Sequence, residues 1–457
     1  MSDDSLPLFT SAIEPDPQKS QTSFQFSKEC LTEAKITLKD IVDFARQEKQ
    51  ESLVPEVGLE KLNLEDEGSV KATSGILPFE KDGFEGHIKW WAFYPCEGGD
   101  KPPIIAMHGG PSFNHKYMLP LKLMAYPEFG GYPVIFYDQC GCGESTTIVS
   151  LKEASDKGNK NMDVSSSSTP QEDQTPPHLF TVEYYVEEFV HLLRTWNTSK
   201  DNPISFKNGY YLYGSSWGTI LAQEVAVYLR MKMDQNQTVS QSSLNGLPML
   251  LGMFLDGALS DAQLYCKSQW KYRISRMPGF TYHLLKKLDG LGSENDMKDA
   301  NAKKDDENLP PATDWYQCKT YKAIEHVLAS MFTTRLVPLP DFWNECLKGA
   351  NFEIYSKMQG CSEFTIGGCL KNWSIVDRLP CLSKPTRLEE GIIVKAPLPV
   401  LAIAGEFDTM TIECHQHVLD SIGGGSQNQL VVIPRAGHCK LVDEPLACCE
   451  EVLKFLK

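Results

Sequence analysis

No run of roughly 18 apolar residues occurs anywhere in the sequence, so it offers no candidate for a membrane-spanning helix. It also lacks any C-x-x-C pair. The 14 cysteines are scattered, and the nearest neighbours, Cys140/Cys142 and Cys448/Cys449, are too cramped for ordinary disulfides. No His/Cys cluster has zinc spacing, so reduced, mostly buried thiols are expected, with no metal and no other cofactor. Positive charge is short as well: 44 Lys and Arg stand against 60 Asp and Glu, a formal net charge of −16. Such a surface repels phosphate backbones and anionic bilayers, so neither nucleic acid nor a membrane is expected as a partner. The first residues, MSDDSLPLFTSAIEPDP, are acidic and polar where a secretory signal is basic and then apolar, and the expectation is a cytoplasmic protein.

What is present is ample for a globular core. The chain has 457 residues, 41% hydrophobic and 23% charged, enough for one large α/β unit with an inserted segment or for two to three ordinary domains. Its most informative stretch is Tyr210-Tyr-Leu-Tyr-Gly-Ser-Ser-Trp-Gly218, which runs on to Arg230. The first half reads as a buried strand, and the second repeats Ile220, Leu221, Val225, Tyr228 and Leu229 at helical spacing. Between them lies Gly214-x-Ser216-x-Gly218, the strand, sharp turn and helix that can expose a strained serine above a sheet. Gly and Ser are also common turn residues, so the pattern needs support from the rest of the chain.

That support comes from strand ends. Pro103–Met107 reads as a buried strand running into His108-Gly-Gly-Pro-Ser112, and Pro133–Tyr137 as another ending in Asp138-Gln-Cys-Gly-Cys-Gly-Glu-Ser145. Leu250–Leu255 ends in Asp256-Gly257, Leu398–Ala404 in Gly405-Glu-Phe-Asp408, and Leu430–Ile433 leads to Ala436-Gly-His438. Strands that each end in a polar, glycine-rich loop fit a mostly parallel sheet with its site along one edge. Further strands are expected from Ser69, including His87–Tyr94, and helices over Val182–Trp196 and Glu444–Leu456. A helix-like segment, Cys30 to Gln47, is set in a polar N-terminal extension of residues 1–68 that is expected to be partly disordered. Residues 150–178, with almost no apolar content, read as a disordered insertion. Aromatic and helical segments over 259–380 suggest a cap inserted between core portions 69–258 and 381–457.

A serine hydroxyl needs a base to take its proton, and that base needs a carboxylate to fix its tautomer. Asp408 and His438 follow Ser216 in the order Ser, Asp, His of α/β hydrolases, each in a loop directly after an apolar strand. Singly, Asp408 reads as a turn or cap residue and His438 as a surface imidazole; their joint occurrence on three strand ends makes Ser216, Asp408 and His438 the candidate triad. The backbone N–H groups of Gly110 and Trp217 are the candidate oxyanion donors.

The set HGGP (108–111), YDQxGxGxS (137–145), GSSWG (214–218), GEFD (405–408) and AGH (436–438) resembles the proline iminopeptidase family of serine aminopeptidases, over roughly residues 75–457. The resemblance implies an α/β-hydrolase fold, a mostly parallel sheet flanked by helices with an inserted helical cap. It further implies release of an N-terminal residue, often proline, from small peptides or amino acid amides. Met358–Trp373 resembles the family's G-P-x-E-F segment, which places Glu363 as the carboxylate that holds the substrate's α-ammonium group. The family adds a glutamate on an earlier cap helix, in a stretch resembling Tyr321-Lys-Ala-Ile-Glu325. Here Ala323 occupies the expected place and Glu325, about 200° further round the helix, is the second amine-binding candidate. Ser112 replaces the usual glycine after HGGP, and Cys140 and Cys142 stand where arginine and serine are frequent. The alternative on the same fold is an amino acid amide or ester hydrolase without strict proline preference. An epoxide hydrolase or dehalogenase would carry Asp at position 216, and a catalytically silent binding protein would not need the triad.

Overall fold

The computed structural model describes residues 68–81, 84–97, 100–146, 180–199, 202–235, 247–276, 324–325, 327–336, 339–360, 362, 365–384, 386–387, 393–394, 397–423 and 427–457. The expected helix over 30–47, the insertion at 150–178 and Glu363 lie outside the described residues.

Eight strands form one sheet in the order β1-β2-β4-β3-β5-β6-β9-β10. They are β1 (Val70–Lys81), β2 (Phe84–Pro95), β3 (Ile104–Met107), β4 (Val134–Tyr137), β5 (Tyr210–Ser215), β6 (Leu250–Asp256), β9 (Val400–Gly405) and β10 (Asn428–Ile433). A separate antiparallel pair is formed by β7 (Thr386–Arg387) and β8 (Ile393–Val394). β1 and β2 pair antiparallel, as do β2 and β4; every other pairing in the large sheet is parallel. The fold is that of the α/β hydrolases, and it matches the sheet expected from the strand-end loops.

Both faces of the sheet are covered, which is why β3, β4 and β9 are buried at every position and read as continuous apolar runs. Alternate residues serve different cores. Ile105, Met107, Leu212 and Met253 face α1 (Val182–Thr198) and α2 (Trp217–Gln235), whereas Ile104, Ala106, Tyr213 and Phe254 face the opposite layer. That layer contains a 3-10 helix, His115–Ala125, which no periodicity announces because Pro120 interrupts it. Further α-helices among the described residues include α3 (Ala262–Tyr272), α4 (Asp341–Lys348), α5 (Phe352–Met358), α6 (Ile412–Ile422), α7 (Lys440–Asp443) and α8 (Pro445–Leu456). Among the described residues no helix is long and apolar enough to cross a membrane.

One buried group in α1 shapes the loop after β4. Glu188 Oε2 accepts the Cys140 N–H at 2.9 Å, and Tyr185 Oη donates to the Cys140 carbonyl at 3.0 Å. Burial pushes the Glu188 carboxyl up to about 8, against the opposing effect of the Cys140 N–H. The folded chain therefore keeps a proton that the unfolded chain has lost, so this group's contribution to stability declines as pH rises between about pH 5 and pH 8. Glu188→Gln cannot titrate. Its melting temperature is expected to gain on the wild type across that range; parallel melting curves at both ends would contradict the assignment.

Candidate active site

Ser216 sits between β5 and α2 with φ of 57°, a left-handed backbone that a non-glycine residue adopts only when its surroundings impose it. The imposing contacts are visible. Ser216 N–H donates to the Asp256 carbonyl at the end of β6 (2.8 Å), while Thr219 N–H donates to the Ser216 carbonyl (2.7 Å). α2 then presses so closely on β3 that a Cβ at Gly218 would lie 2.0 Å from the Met107 carbonyl oxygen. Glycine is required there by space, which explains the second glycine of the motif.

The HGGP and DQ loops meet the same turn. Gln139 N–H donates to His108 Nε2 (3.0 Å), Gln139 Nε2 donates to the His108 carbonyl (3.0 Å), and Trp217 Nε1 donates to Gln139 Oε1 (2.9 Å). Burial, the largest influence, lowers the His108 pKa, so its ring stays neutral and able to accept that bond. Asp138 closes the loop on itself, taking the His115 and Glu144 backbone N–H groups at 2.8 and 2.9 Å. Gly109 N–H is occupied by Tyr117 Oη (2.7 Å), whereas the N–H groups of Gly110 and Trp217 have no hydrogen-bond acceptor among the described residues. Both residues line the cavity that Ser216 and His438 share.

Asp408 follows β9 and is fully buried behind His438. His438 Nδ1 donates to Asp408 Oδ1 at 2.7 Å, which leaves Nε2 with a lone pair, since an ionised carboxylate can only accept. Burial pushes the Asp408 pKa up, but the charges of Lys440 and His438 and the His438 hydrogen bond outweigh it and hold the group below the ordinary carboxylate value. Met410 N–H adds a bond to Oδ1 (2.8 Å).

Neighbouring segments fix the two loops. Arg273, just past α3, donates from Nε to the Asp408 carbonyl (2.6 Å) and from Nη2 to the Glu406 carbonyl (3.0 Å). Ala329–Thr333 is a π-helix, and its Phe332 and Thr333 carbonyls accept the His438 and Cys439 N–H groups, both at 2.7 Å. Asp443 takes Gly437 N–H on one oxygen and Arg335 N–H on the other, both at 2.8 Å. Aromatic and apolar side chains, Tyr265, Tyr355, Ile366, Leu370, Trp373 and Met410, line much of the cavity, with Gln269 and Gln359 among them. Glu224 of α2 holds that lining: Trp373 Nε1 donates to it at 2.8 Å, and Arg378 meets both its oxygens at 2.6 Å. Glu325 is half-buried and does not line the cavity; Glu363 lies outside the described residues, between buried Ser362 and cavity-lining Ile366. No cluster of three or more His, Cys, Asp or Glu that could hold a metal ion occurs among the described residues.

No protein-family model matches the chain. The proline iminopeptidase of Flavobacterium johnsoniae is 26% identical over 356 residues, 78% of this chain and 90% of that protein. That of Thermoplasma volcanium is 25% identical over 383 residues, 82% of this chain and 96% of that protein. The chain is thus similar to proline iminopeptidases over about four fifths of its length. The fold agrees: the crystal structure of the Mycobacterium smegmatis proline iminopeptidase superposes with a TM-score of 0.57 at 21% identity, covering 84% of this chain and 97% of that one. VinJ gives the same TM-score at 20% identity, covering 84% and 98%.

The sequence reading missed Asp256, Lys440, Arg273 and Glu224, because each acts through a contact between distant segments. Only Asp256 carried a signal, its place at a strand end. The ring of His438 also depends on Gly257, where a Cβ would lie 2.7 Å from Cε1. Gly257→Ala is expected to displace the ring and slow labelling of Ser216 by a fluorophosphonate about tenfold or more, with the fold checked by circular dichroism. Labelling at the wild-type rate would contradict this packing.

Proposed function

We propose that this protein is a serine aminopeptidase that releases an N-terminal residue, preferably proline, from small peptides through an acyl-enzyme. The observation that carries the reading is His438, hydrogen-bonded to a buried, ionised Asp408 and opening onto the same cavity as the left-handed Ser216. The names of the related proteins support the substrate class. Ser216 Oγ attacks the scissile carbonyl while His438 Nε2 takes its proton, and Asp408 stabilises the imidazolium. Gly110 and Trp217 N–H groups receive the oxyanion. As the C–N bond breaks, His438 protonates the leaving amine, then draws a proton from water, which splits the ester and frees the amino acid.

In this reading residues 259–380 form the cap over a core of 69–258 and 381–457. Its aromatic and apolar wall suits a compact ring such as proline. Glu363 binds the α-ammonium group and excludes blocked substrates. The reading also places the enzyme in the cytoplasm, acting on small peptides rather than on nucleic acid or membrane partners, in keeping with its net charge of −16. The position of Glu325 away from the cavity lining favours a second reading, an amide or ester hydrolase without strict proline preference, because amine recognition then rests on fewer carboxylates.

Ser216→Ala is expected to reduce turnover of prolyl arylamide by about 10³-fold or more with an unchanged melting temperature; full activity would rule out the assignment. Glu363→Gln should lower kcat/KM for arylamides with a free amine by roughly 10- to 100-fold, the worth of a charge-assisted bond, and leave ester substrates without an amine unaffected. A panel of amino acid arylamides and esters separates the two readings, since only the first predicts a marked preference for proline.

A further inference from the structure

Asp408 spends one carboxylate oxygen on His438. Its other oxygen meets Lys440 Nζ at 2.5 Å, and the same ammonium lies 2.8 Å from Asp256 Oδ1. All three side chains are no more than 1% exposed. Asp256 ends β6, where Tyr213 Oη donates to its second oxygen at 3.0 Å, and Lys440 opens α7 two residues after His438. The four groups share one space: a Cβ at Gly257 would meet His438 Cε1 and, at 3.3 Å, Lys440 Nζ.

The serine, histidine and aspartate chemistry has no step that uses a lysine or a second aspartate. The cluster nevertheless sets the field in which the imidazolium forms. Burial raises the Asp256 pKa while the Lys440 ammonium opposes that rise; with both carboxylates ionised, the three groups sum to one negative charge, and the lysine's charge is divided between Asp256 and Asp408. We propose that Lys440 is a positioning residue for the Asp408–His438 pair, and that Asp256, by sharing the lysine, sets how much negative charge that pair presents to the forming imidazolium. The other groups facing the pair are accounted for. His415 of α6 is pushed down to about 4 by burial and stays neutral, and burial likewise keeps the Cys414 and Cys439 thiols protonated. The Arg273 guanidinium bonds the Asp408 and Glu406 backbone carbonyls, so its charge acts on Asp408 from beside the carboxylate and is the same in every variant below; the Glu406 carboxylate accepts the Arg435 N–H, and Asp443 is bonded to backbone N–H groups and the Thr334 hydroxyl. Asp256 and Lys440 are therefore the two charges that meet the pair side chain to side chain from outside the triad.

The inference rests on Ser216 acting as nucleophile but not on the substrate, so the probe is fluorophosphonate labelling of the full chain measured against pH. Asp256→Asn leaves Lys440 wholly to Asp408. With less negative charge nearby the imidazolium is less stable, the neutral ring persists to lower pH, and the acidic limb of the labelling profile should move down by about one pH unit. Asp256→Ser removes the same charge without an amide and predicts the same shift. Lys440→Met leaves two buried carboxylates that trap a proton, and labelling should slow about tenfold or more. Lys440→Met combined with Asp256→Asn restores the net charge and should recover most of that rate. An acidic limb that stays in place in both Asp256 variants overturns the proposal, as does wild-type labelling in Lys440→Met. Failure of the wild type to label overturns this inference and the catalytic reading together, whereas labelling without prolyl arylamide turnover strikes only the substrate reading.

Discussion

A carboxylate sealed from water resists ionisation, and the whole arrangement around Ser216 depends on Asp408 remaining charged despite its complete burial. Desolvation works against the charge; Lys440, His438 and the Met410 N–H offset it. With Asp408 charged, Nδ1 of His438 must carry the proton and Nε2 must be the free base. The direction of that ring follows from the carboxylate, and the depth of the carboxylate follows from where β9 ends beside β6. Buried ion clusters of this kind stabilise little in themselves. Their effect here is to specify one geometry at the mouth of the sheet.

The same edge explains why segments far apart in the chain converge. Gln139 ties the loop after β4 to the loop after β3 and to Trp217, so the three loops nearest Ser216 share a single side-chain amide. The π-helix at Ala329–Thr333 and the Arg273 guanidinium fix the loops of His438 and Asp408 from the segment between β6 and β9. Movement of that segment would be transmitted to the base and its carboxylate through backbone hydrogen bonds rather than through solvent.

Much of this was legible in the sequence because parallel strands buried on both faces announce themselves as apolar runs, and because their C-terminal loops must carry the polar residues. β3 and β4 fall within the stretches so read, and β5, β6, β9 and β10 overlap them with ends one or two residues away. The 3-10 helix at His115–Ala125 was not legible, since its Pro120 and dense apolar content match neither helical nor strand periodicity. Lys440 and Arg273 were illegible for a different reason. A lysine or arginine in a polar context reads as surface, and only the fold reveals that each is sealed against a carboxylate or a carbonyl row. Glu224 looks like an ordinary polar position of a helix until Trp373 and Arg378, about 150 residues away in the chain, are seen to close on it.

The chemistry proposed at Ser216 is the centre of the account, and in that proposal the aromatic wall and Glu363 select the acyl group that reaches it. The most direct measurement is mass spectrometry of the protein quenched in acid during turnover of a prolyl ester, followed by peptide mapping. The account predicts a prolyl group bonded to the peptide that contains Ser216, absent from the Ser216→Ala protein. A modified peptide elsewhere in the chain, or the same adduct in Ser216→Ala, would contradict it.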